Sequence, residues 1–453
     1  MAQVMQTGGN MLYRLKRIFT DQIWAIPLLA GLVAAVLAQI LSNFSLDDTS
    51  PLARFLWPGD SASAASLLGF IASSMLTVLT TTISMTLIVL QVAAGQFSHQ
   101  LLRDYIQSSA VKGILSVFSG VFVYSVVLLR SVRSESRDYP PQLGIALAIV
   151  LVFCALATFV WYVGMVVSMV RVDNILSTAT NRTKNLVVKH REEWRQSMDA
   201  PDVPSSAVVL RADGSGYVRN VATRQAASWA KDNNATVVFA LSAGDPVITG
   251  QVSGWVFGRG KTFDELPDLP KWVHVEAERV SESDTRLGLH QLADIALRAL
   301  SPSTNDPTTA IHVINQATSL IRNIAENPMN NESVMDEGEL LAFTPSPTPA
   351  DFVNEIIPPI RRSAGDEPLV LIQLLRLLKV LYQGSGSNPK LRSLISGERD
   401  NIVEAAKREL PFDEDIKMVL SYANLEESVA FSRVKGPDLD EVADEDDETI
   451  KSV

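Results

Sequence analysis

Residues 143–170 read LGIALAIVLVFCALATFVWYVGMVVSMV, an uncharged stretch closed by Arg171. The hydrocarbon core of a bilayer is crossed by about 20 helical residues. Backbone amides in lipid must bond within the spanning structure, and this run is too long for a barrel strand, so it reads as a transmembrane helix. Three runs upstream repeat the pattern. Residues 23–41 carry no charge, and Pro27 sits in their first turns, where a missing amide costs little. Residues 66–94 are longer and again uncharged, and 111–129 hold only Lys112 at their start, where a lysine snorkels to the headgroups. The expected fold is therefore a membrane α-helical part of four transmembrane helices, followed by a cytoplasmic α+β domain. Bulk composition hides this, because 47% hydrophobic and 20% charged residues are close to the average of a soluble chain.

The expected organisation is a cytoplasmic N-terminus (1–22), a four-helix transmembrane domain (23–170), a basic connector (171–204), a small β-rich subdomain (205–282), a helical subdomain (283–435) and an acidic disordered tail (436–453). In the tail, Asp438, Asp440, Glu441, Asp444, Glu445, Asp446, Asp447 and Glu448 stand against Lys451, which supplies −7 of the formal −11. Like-charge repulsion without apolar anchors reads as a solvated tail. No basic patch interleaved with aromatics marks a nucleic-acid partner. The single cysteine, Cys154, lies inside an apolar run, which excludes a disulfide framework and a cysteine-based zinc site.

Lysine and arginine in short flanks set the orientation. Arg14, Lys16 and Arg17 precede the first span, and Arg171, Arg182, Lys184, Lys189, Arg191 and Arg195 follow the fourth. The loop between the first two spans has only Arg54 beside Asp47, Asp48 and Asp60. Both termini are expected in the cytoplasm of a bacterium, with a multi-pass chain in its inner (plasma) membrane. Arg130, Arg133 and Arg137 run against this rule, partly offset by Glu135 and Asp138. The first apolar run exceeds the roughly 7–15 residues of a signal-peptide core and reads as an uncleaved anchor.

The second span is the unusual one. From Ser73 it reads SSMLTVLTTTISMTLIVLQVAAGQFS, and Ser73, Thr77, Thr80, Thr81, Ser84 and Gln91 recur at offsets of three, four and seven. That spacing puts them on one stripe of a helix. Such a stripe packs against another helix or, in an oligomer, lines an aqueous path in which hydroxyls replace part of an ion's hydration shell. The spans carry no acid, lysine or histidine near mid-depth and show no inverted repeat, which argues against a coupled pump.

Downstream, residues 207–279 carry strand signals (AVVL, GYV, TVVFAL, PVITGQV, SGWVFG, WVHVEAERV) with turns at Asp213-Gly214 and Gly244-Asp245, interrupted by a helix over 222–231. Gly260-Lys261-Thr262 is not a phosphate-cradling loop, because Trp255 occupies the position that requires glycine. From Asp284 the chain reads as helices over 287–300 and 308–326, separated by the turn SPSTNDP. Asp306 suits that turn's N-cap and Pro307 the first helical position. Residues 336–351 read as an acidic, proline-rich loop before further helices near Phe352 and over 367–383, 389–410 and 412–433.

The phrases LGLHQLADIALRALSPSTNDPTTAIHVINQ and MTLIVLQVAAGQFSHQLLRDYI resemble a widespread bacterial family described only as predicted membrane proteins. The resemblance covers nearly the whole chain and implies four spans with this cytoplasmic domain, but no activity. In the first phrase His290, Asp294 and Arg298 share one helix face, and Asn305, Asp306, Thr308, Thr309 and His312 gather about the next N-terminus. These are the candidate residues for a soluble ligand, a small ion or an anion. No nucleophile and base stand together, the two histidines lack the i,i+4 spacing of a helical metal site, and no cofactor motif is present. The expected function is an oligomeric channel or pore, its second span lining the path and its cytoplasmic domain regulating it. The alternative is a membrane-anchored ligand sensor or protein scaffold. An enzyme is the least expected.

Overall fold

A computed structural model of the chain describes residues 22, 24–43, 55–96, 109–133, 140–169, 171–196, 198–258, 271–279, 282–386 and 388–426. The basic N-terminus, the first acidic loop, residues 259–270 and the acidic tail lie outside them. The chain forms two compact units, residues 1–175 and 176–453.

In the first unit α1 (Ala25–Leu41), α2 (Ser61–Gln96), α3 (Ser109–Val132) and α4 (Gln142–Met169) form a bundle. The helices α2, α3 and α4 are long and apolar enough to cross a membrane, and α1 is a shorter apolar helix of 17 residues. The helices α1, α2 and α4 all pack on α3. Small residues allow close approach of α1 to α3, with Gly31 against Val123 and Gly120 beside Ala34. Side-chain hydroxyls tie the helices together. Ser119 Oγ donates to the Pro27 carbonyl at 3.1 Å, Tyr124 to the Gly144 carbonyl at 2.9 Å and Tyr162 to the Thr82 carbonyl at 2.9 Å. Phe118, Leu68, Leu128 and Ile145 fill the centre, while Phe153, Leu156, Val160, Trp161 and Val167 of α4 point outward, the arrangement of a helix that borders lipid.

The basic connector is helical, as α5 (Val172–Glu193). The second unit then forms β1 (Val208–Arg211), β2 (Gly216–Val221), α6 (Thr223–Asp232), β3 (Ala235–Phe239), β4 (Pro246–Val247), β5 (Val252–Gly258) and β6 (Val273–Glu276). The helices α7 (Leu287–Ala299) and α8 (Pro307–Glu326) follow, then the strands β7 (Glu332–Asp336) and β8 (Glu339–Thr344). The chain ends its described part with α9 (Pro349–Ser363), α10 (Pro368–Gly384), α11 (Pro389–Glu409) and α12 (Asp413–Ser421).

One sheet has the order β1-β5-β3-β8-β7, antiparallel except where β3 pairs parallel with β8, and a second has the order β4-β2-β6. Val237, Phe239, Val256 and Leu341 of the larger sheet pack under Ala226 and Ala230 of α6. Trp272 stands edge-on to Trp229 with ring centroids 5.3 Å apart. The helices α7 to α11 bury Leu289, Leu292, Ile314, Ile321, Phe352, Ile356, Leu374 and Ile402.

The expected loop over 336–351 is instead the β7–β8 hairpin and the start of α9. Glu337 (φ 50°) and Gly338 (φ 87°) are both left-handed, the backbone of a tight primed turn. Glutamate stands where asparagine is the usual signal, and the strand PVITGQV contracts to the two residues of β4.

Candidate functional site

The second unit carries an open cavity of about 350 Å³ between the C-terminal part of α5, the first turn of α6 and the β7–β8 hairpin. Its wall contains Lys189, His190, Glu193 and Trp194 from the α5 side, Asn220 from β2, Thr223 and Arg224 from α6, and Glu332 and Thr344 from the hairpin. This volume lies within the range of small-molecule sites.

The wall is built from the backbone outward. Residue 222, which precedes α6, is an alanine and makes no side-chain cap. The Thr223 hydroxyl donates to Glu332 Oε2 at 2.6 Å and lies 2.8 Å from Thr344 Oγ1. Glu332 begins β7, and burial raises its carboxyl above the ordinary range despite the Thr223 bond and the nearby His190. His190 Nδ1 stands 4.0 Å from Glu332 Oε1, and its Nε2 is 2.9 Å from both the Asn330 carbonyl and Ser346 Oγ. At the rim Arg224 pairs with Glu193 at 2.9 Å and stacks 5.0 Å from the centre of the Trp194 ring.

The same end of α5 is clamped to its surroundings. Arg191 donates to Asn323 Oδ1 at 3.3 Å, to the Asn323 carbonyl at 3.2 Å and to the Asn327 carbonyl, covering the C-terminus of α8. Asn330 Nδ2 donates to the Trp194 carbonyl at 3.0 Å and Asn331 Nδ2 to the Met198 carbonyl at 2.8 Å. Nearer its start, α5 crosses α7 at Gly288. A Cβ there would overlap Thr183 Oγ1 and lie 2.9 Å from the Ala179 carbonyl oxygen.

The residues singled out in LGLHQLADIALRALSPSTNDP serve two different contacts. His290 Nδ1 lies 3.2 Å from Glu355 Oε2 of α9, and Glu355 Oε1 accepts from Arg279 at 3.3 Å. Arg279 donates in turn to Asp284 Oδ2 at 2.7 Å, and Asp284 Oδ1 accepts the amides of Arg286 and Leu287 at 2.9 and 3.2 Å. Arg279 and Asp284 are 7% and 1% exposed, so each neutralises the other out of water. The Glu355 bond raises the His290 imidazole above its ordinary value, with Asp294 adding attraction. Burial works to raise Glu355, but His290 and Arg279 outweigh it and hold the carboxyl low.

At the turn, Asp306 accepts from the Thr309 amide at 3.1 Å and its hydroxyl at 2.6 Å, and these bonds lower its carboxyl below the usual range. The carboxylate occupies the place an external anion would take. Asn305 supplies the left-handed residue (φ 47°), and Thr308 and His312 are exposed on α8. Asp294 and Arg298 lie half-buried on α7.

In the first unit Ser73, Thr77, Thr80, Thr81, Ser84 and Gln91 all lie on the exposed side of α2, away from its packed face of Leu68, Ile71 and Met75. Their hydroxyls bond back along the helix: Ser73 to the Phe70 carbonyl, Thr77 to that of Ser73 at 3.0 Å, Thr80 to that of Leu76 at 3.1 Å and Thr81 to that of Thr77 at 2.9 Å.

The structure thus defines a class, an apolar helical bundle of membrane-spanning character followed by an α+β unit with mixed sheets. The model of the family described as "Predicted membrane protein (DUF2254)" matches residues 20–380, and the chain belongs to that family. It is 31% identical over 434 residues to an uncharacterized protein of Mycobacterium tuberculosis (strain CDC 1551 / Oshkosh), covering 92% of this chain and 83% of that protein. An uncharacterized protein of Mycobacterium bovis (strain ATCC BAA-935 / AF2122/97) is similar to the same extent, at 31% over 92% of this chain and 83% of its own. No solved structure matches the chain.

Proposed function

We propose that the chain is a membrane-anchored sensor, not an enzyme: its four apolar helices hold it in the bacterial inner membrane with both termini cytoplasmic, and the cavity of the second unit takes a small polar molecule. The observation that carries this is the cavity of about 350 Å³, walled by polar groups of α5, α6 and the β7–β8 hairpin. Only residues 170 and 171 separate α4 from α5, so the helix that supplies one wall of the site is the next element in the chain after the last apolar helix. Saturation at a hundred times Kd stabilises a protein by about 2.7 kcal/mol, which for a unit of this size is a rise of roughly 5–10 °C in melting temperature. The test is a thermal-shift screen of the full chain in detergent against small metabolites. A compound that stabilises the native chain and not Asn220→Trp, which fills the cavity, supports the reading. Equal stabilisation of both refutes it.

A second reading, an oligomeric pore lined by α2, is favoured by the exposed row from Ser73 to Gln91. It ranks second because the bonded hydroxyls already have acceptors in their own helix and do not require water. Cysteines at Thr77, Thr81, Ser84 and Gln91 in a Cys154-free chain should react with a water-soluble thiol reagent if the row lines a path, and the protein should elute as a defined ring. An unreactive row, a monomer in detergent and no conductance in bilayers would remove the pore.

A further inference from the structure

The cavity presents two kinds of unfilled group, and they adjoin each other. The first is the start of α6, a helix of 10 residues. A helix leaves its first amides without partners inside the helix. Here the Ala222 amide is taken by the Trp272 carbonyl at 2.8 Å, and the Ala226 amide reaches back to the Ala222 carbonyl at 3.0 Å. Between them, the amides of Thr223, Arg224 and Gln225 have no acceptor among the described residues, and Ala222 has no side-chain oxygen to cap them. All four residues line the cavity, so the positive end of the helix opens on it. Thr285, ahead of α7, supplies an independent donor. It lines the same cavity, is 6% exposed, and its hydroxyl makes no hydrogen bond among the described residues.

The second unfilled group is a carboxyl. Oε2 of Glu332 is held by the Thr223 hydroxyl at 2.6 Å, while Oε1 accepts no hydrogen bond among the described residues and lies 4.0 Å from His190 Nδ1. No arginine or lysine forms an ion pair with Glu332 among the described residues. Thr223 is the first residue of α6, so the free amides and this acceptor are separated by one threonine side chain. An α-amino acid carries its carboxylate and its ammonium at a comparable separation, on a single carbon.

The charges of the wall favour such a ligand over a simple ion. Arg224 pairs with Glu193 at 2.9 Å, but Arg219 is shared, at 2.9 Å from Glu276 and 2.8 Å from Glu282. With Glu332, the carboxyls outnumber the cations even when Lys189 of the wall is added. An anion alone would face this excess. A cation alone would leave the α6 amides and Thr285 empty.

We propose that the cavity is a site for a free α-amino acid, whose carboxylate is received by the amides of α6 and the Thr285 hydroxyl and whose ammonium is received by Glu332 Oε1. The volume of about 350 Å³ leaves room for the ligand's own side chain. The proposal rests on the binding reading above and adds its ligand class.

The test titrates the full chain in detergent with the common L-amino acids, following binding by calorimetry and by thermal shift. At least one should bind the native chain and not Asn220→Trp. Its N-acetyl form, which lacks the ammonium, and its amide, which lacks the carboxylate, should each bind about tenfold more weakly or worse, the loss expected for a charged hydrogen-bonding group. Ala222→Asn gives α6 the side-chain cap it lacks. This variant should melt no lower than the native chain and yet bind the amino acid about tenfold more weakly, with its affinity for the amide unchanged. Glu332→Gln, isosteric and still able to accept from Thr223, should weaken the amino acid to the same degree and leave the N-acetyl form unaffected. It also covers the case in which Ala222→Asn does not fold. Derivatives that bind as tightly as the amino acid, or either folded variant at native affinity, overturn the proposal. If no amino acid binds but another metabolite stabilises the native chain and not Asn220→Trp, the proposal falls and the binding reading stands. A screen in which no compound separates the native chain from Asn220→Trp removes both.

Discussion

Replacing Gly288 with alanine tests whether α5 and α7 pack as one piece. Two opposing effects decide the outcome. In a free helix, alanine is better than glycine by about 1 kcal/mol. In this helix the added Cβ would overlap Thr183 Oγ1 and stand 2.9 Å from the carbonyl oxygen of Ala179, a backbone atom that cannot swing aside. Thr183 is 2% exposed and has no open space to rotate into. Overpacking of this kind costs about 1–3 kcal/mol, so the net effect is destabilising by roughly 1 kcal/mol, a fall of about 2–4 °C in a unit of this size. Thermal unfolding of the detergent-solubilised chain, followed by near-ultraviolet circular dichroism, reads this directly. Thr183→Ala in the same chain removes one of the two overlaps and should recover part of the loss, so the cycle of single and double variants should show coupling above about 0.5 kcal/mol. A Gly288→Ala chain that melts at or above the native temperature would show that helix propensity wins and that the crossing is not tight.

The imidazole of His290 is raised by its Glu355 bond. Its contribution to stability is therefore fully present below the ordinary imidazole value of about 6.5 and lost as pH rises through the folded value; denaturant unfolding across pH 6 to 9 should show this loss, and Glu355→Gln should remove it. Asp306→Ala should cost about 0.5–2 kcal/mol as a lost cap, while Asp306→Ser should be nearly silent in thermal unfolding. A normal melting temperature in both, with lost ligand response, would instead make the turn a binding element. Alkaline phosphatase fused after Arg195 should be inactive and a fusion near Asp60 active, and the reverse pattern would overturn the orientation.

The membrane helices are legible in the sequence because an uncharged run of this length has few alternatives, and each observed helix begins and ends within a few residues of its apolar run. The α7–α8 hairpin is legible for a local reason. Asp306, Pro307 and Thr309 write the cap within four residues. The β7–β8 hairpin is not, because its turn uses Glu337 and because β8 pairs with β3, about a hundred residues earlier, which no local pattern encodes. The candidate site divides in the same way. His290 is visible as a polar position on an apolar helix, but Glu355 lies 65 residues downstream and declares itself only in the fold. His190 is one of many basic-face residues on α5, and Glu332 sits on a strand that borders a stretch reading as loop, so their meeting has no local signature.

The proposed sensor depends on how α5 is held. A helix that merely trails from the membrane needs no partners, but α5 is held at three places along its length: against Gly288 through Thr183, at the end of α8 through Arg191, and at the start of β7 through the residues that follow it. Arg191 gives its hydrogens to neutral carbonyls and an amide oxygen, so that clamp does not depend on any carboxylate keeping its charge. His190, its neighbour, lines the cavity instead, with Nδ1 4.0 Å from Glu332 Oε1. Adjacent residues on one helix thus supply an anchor and a contact with the cavity. On the proposed sensor reading, a ligand in the cavity sits beside this anchored point, on the helix that follows α4 in the chain after two residues.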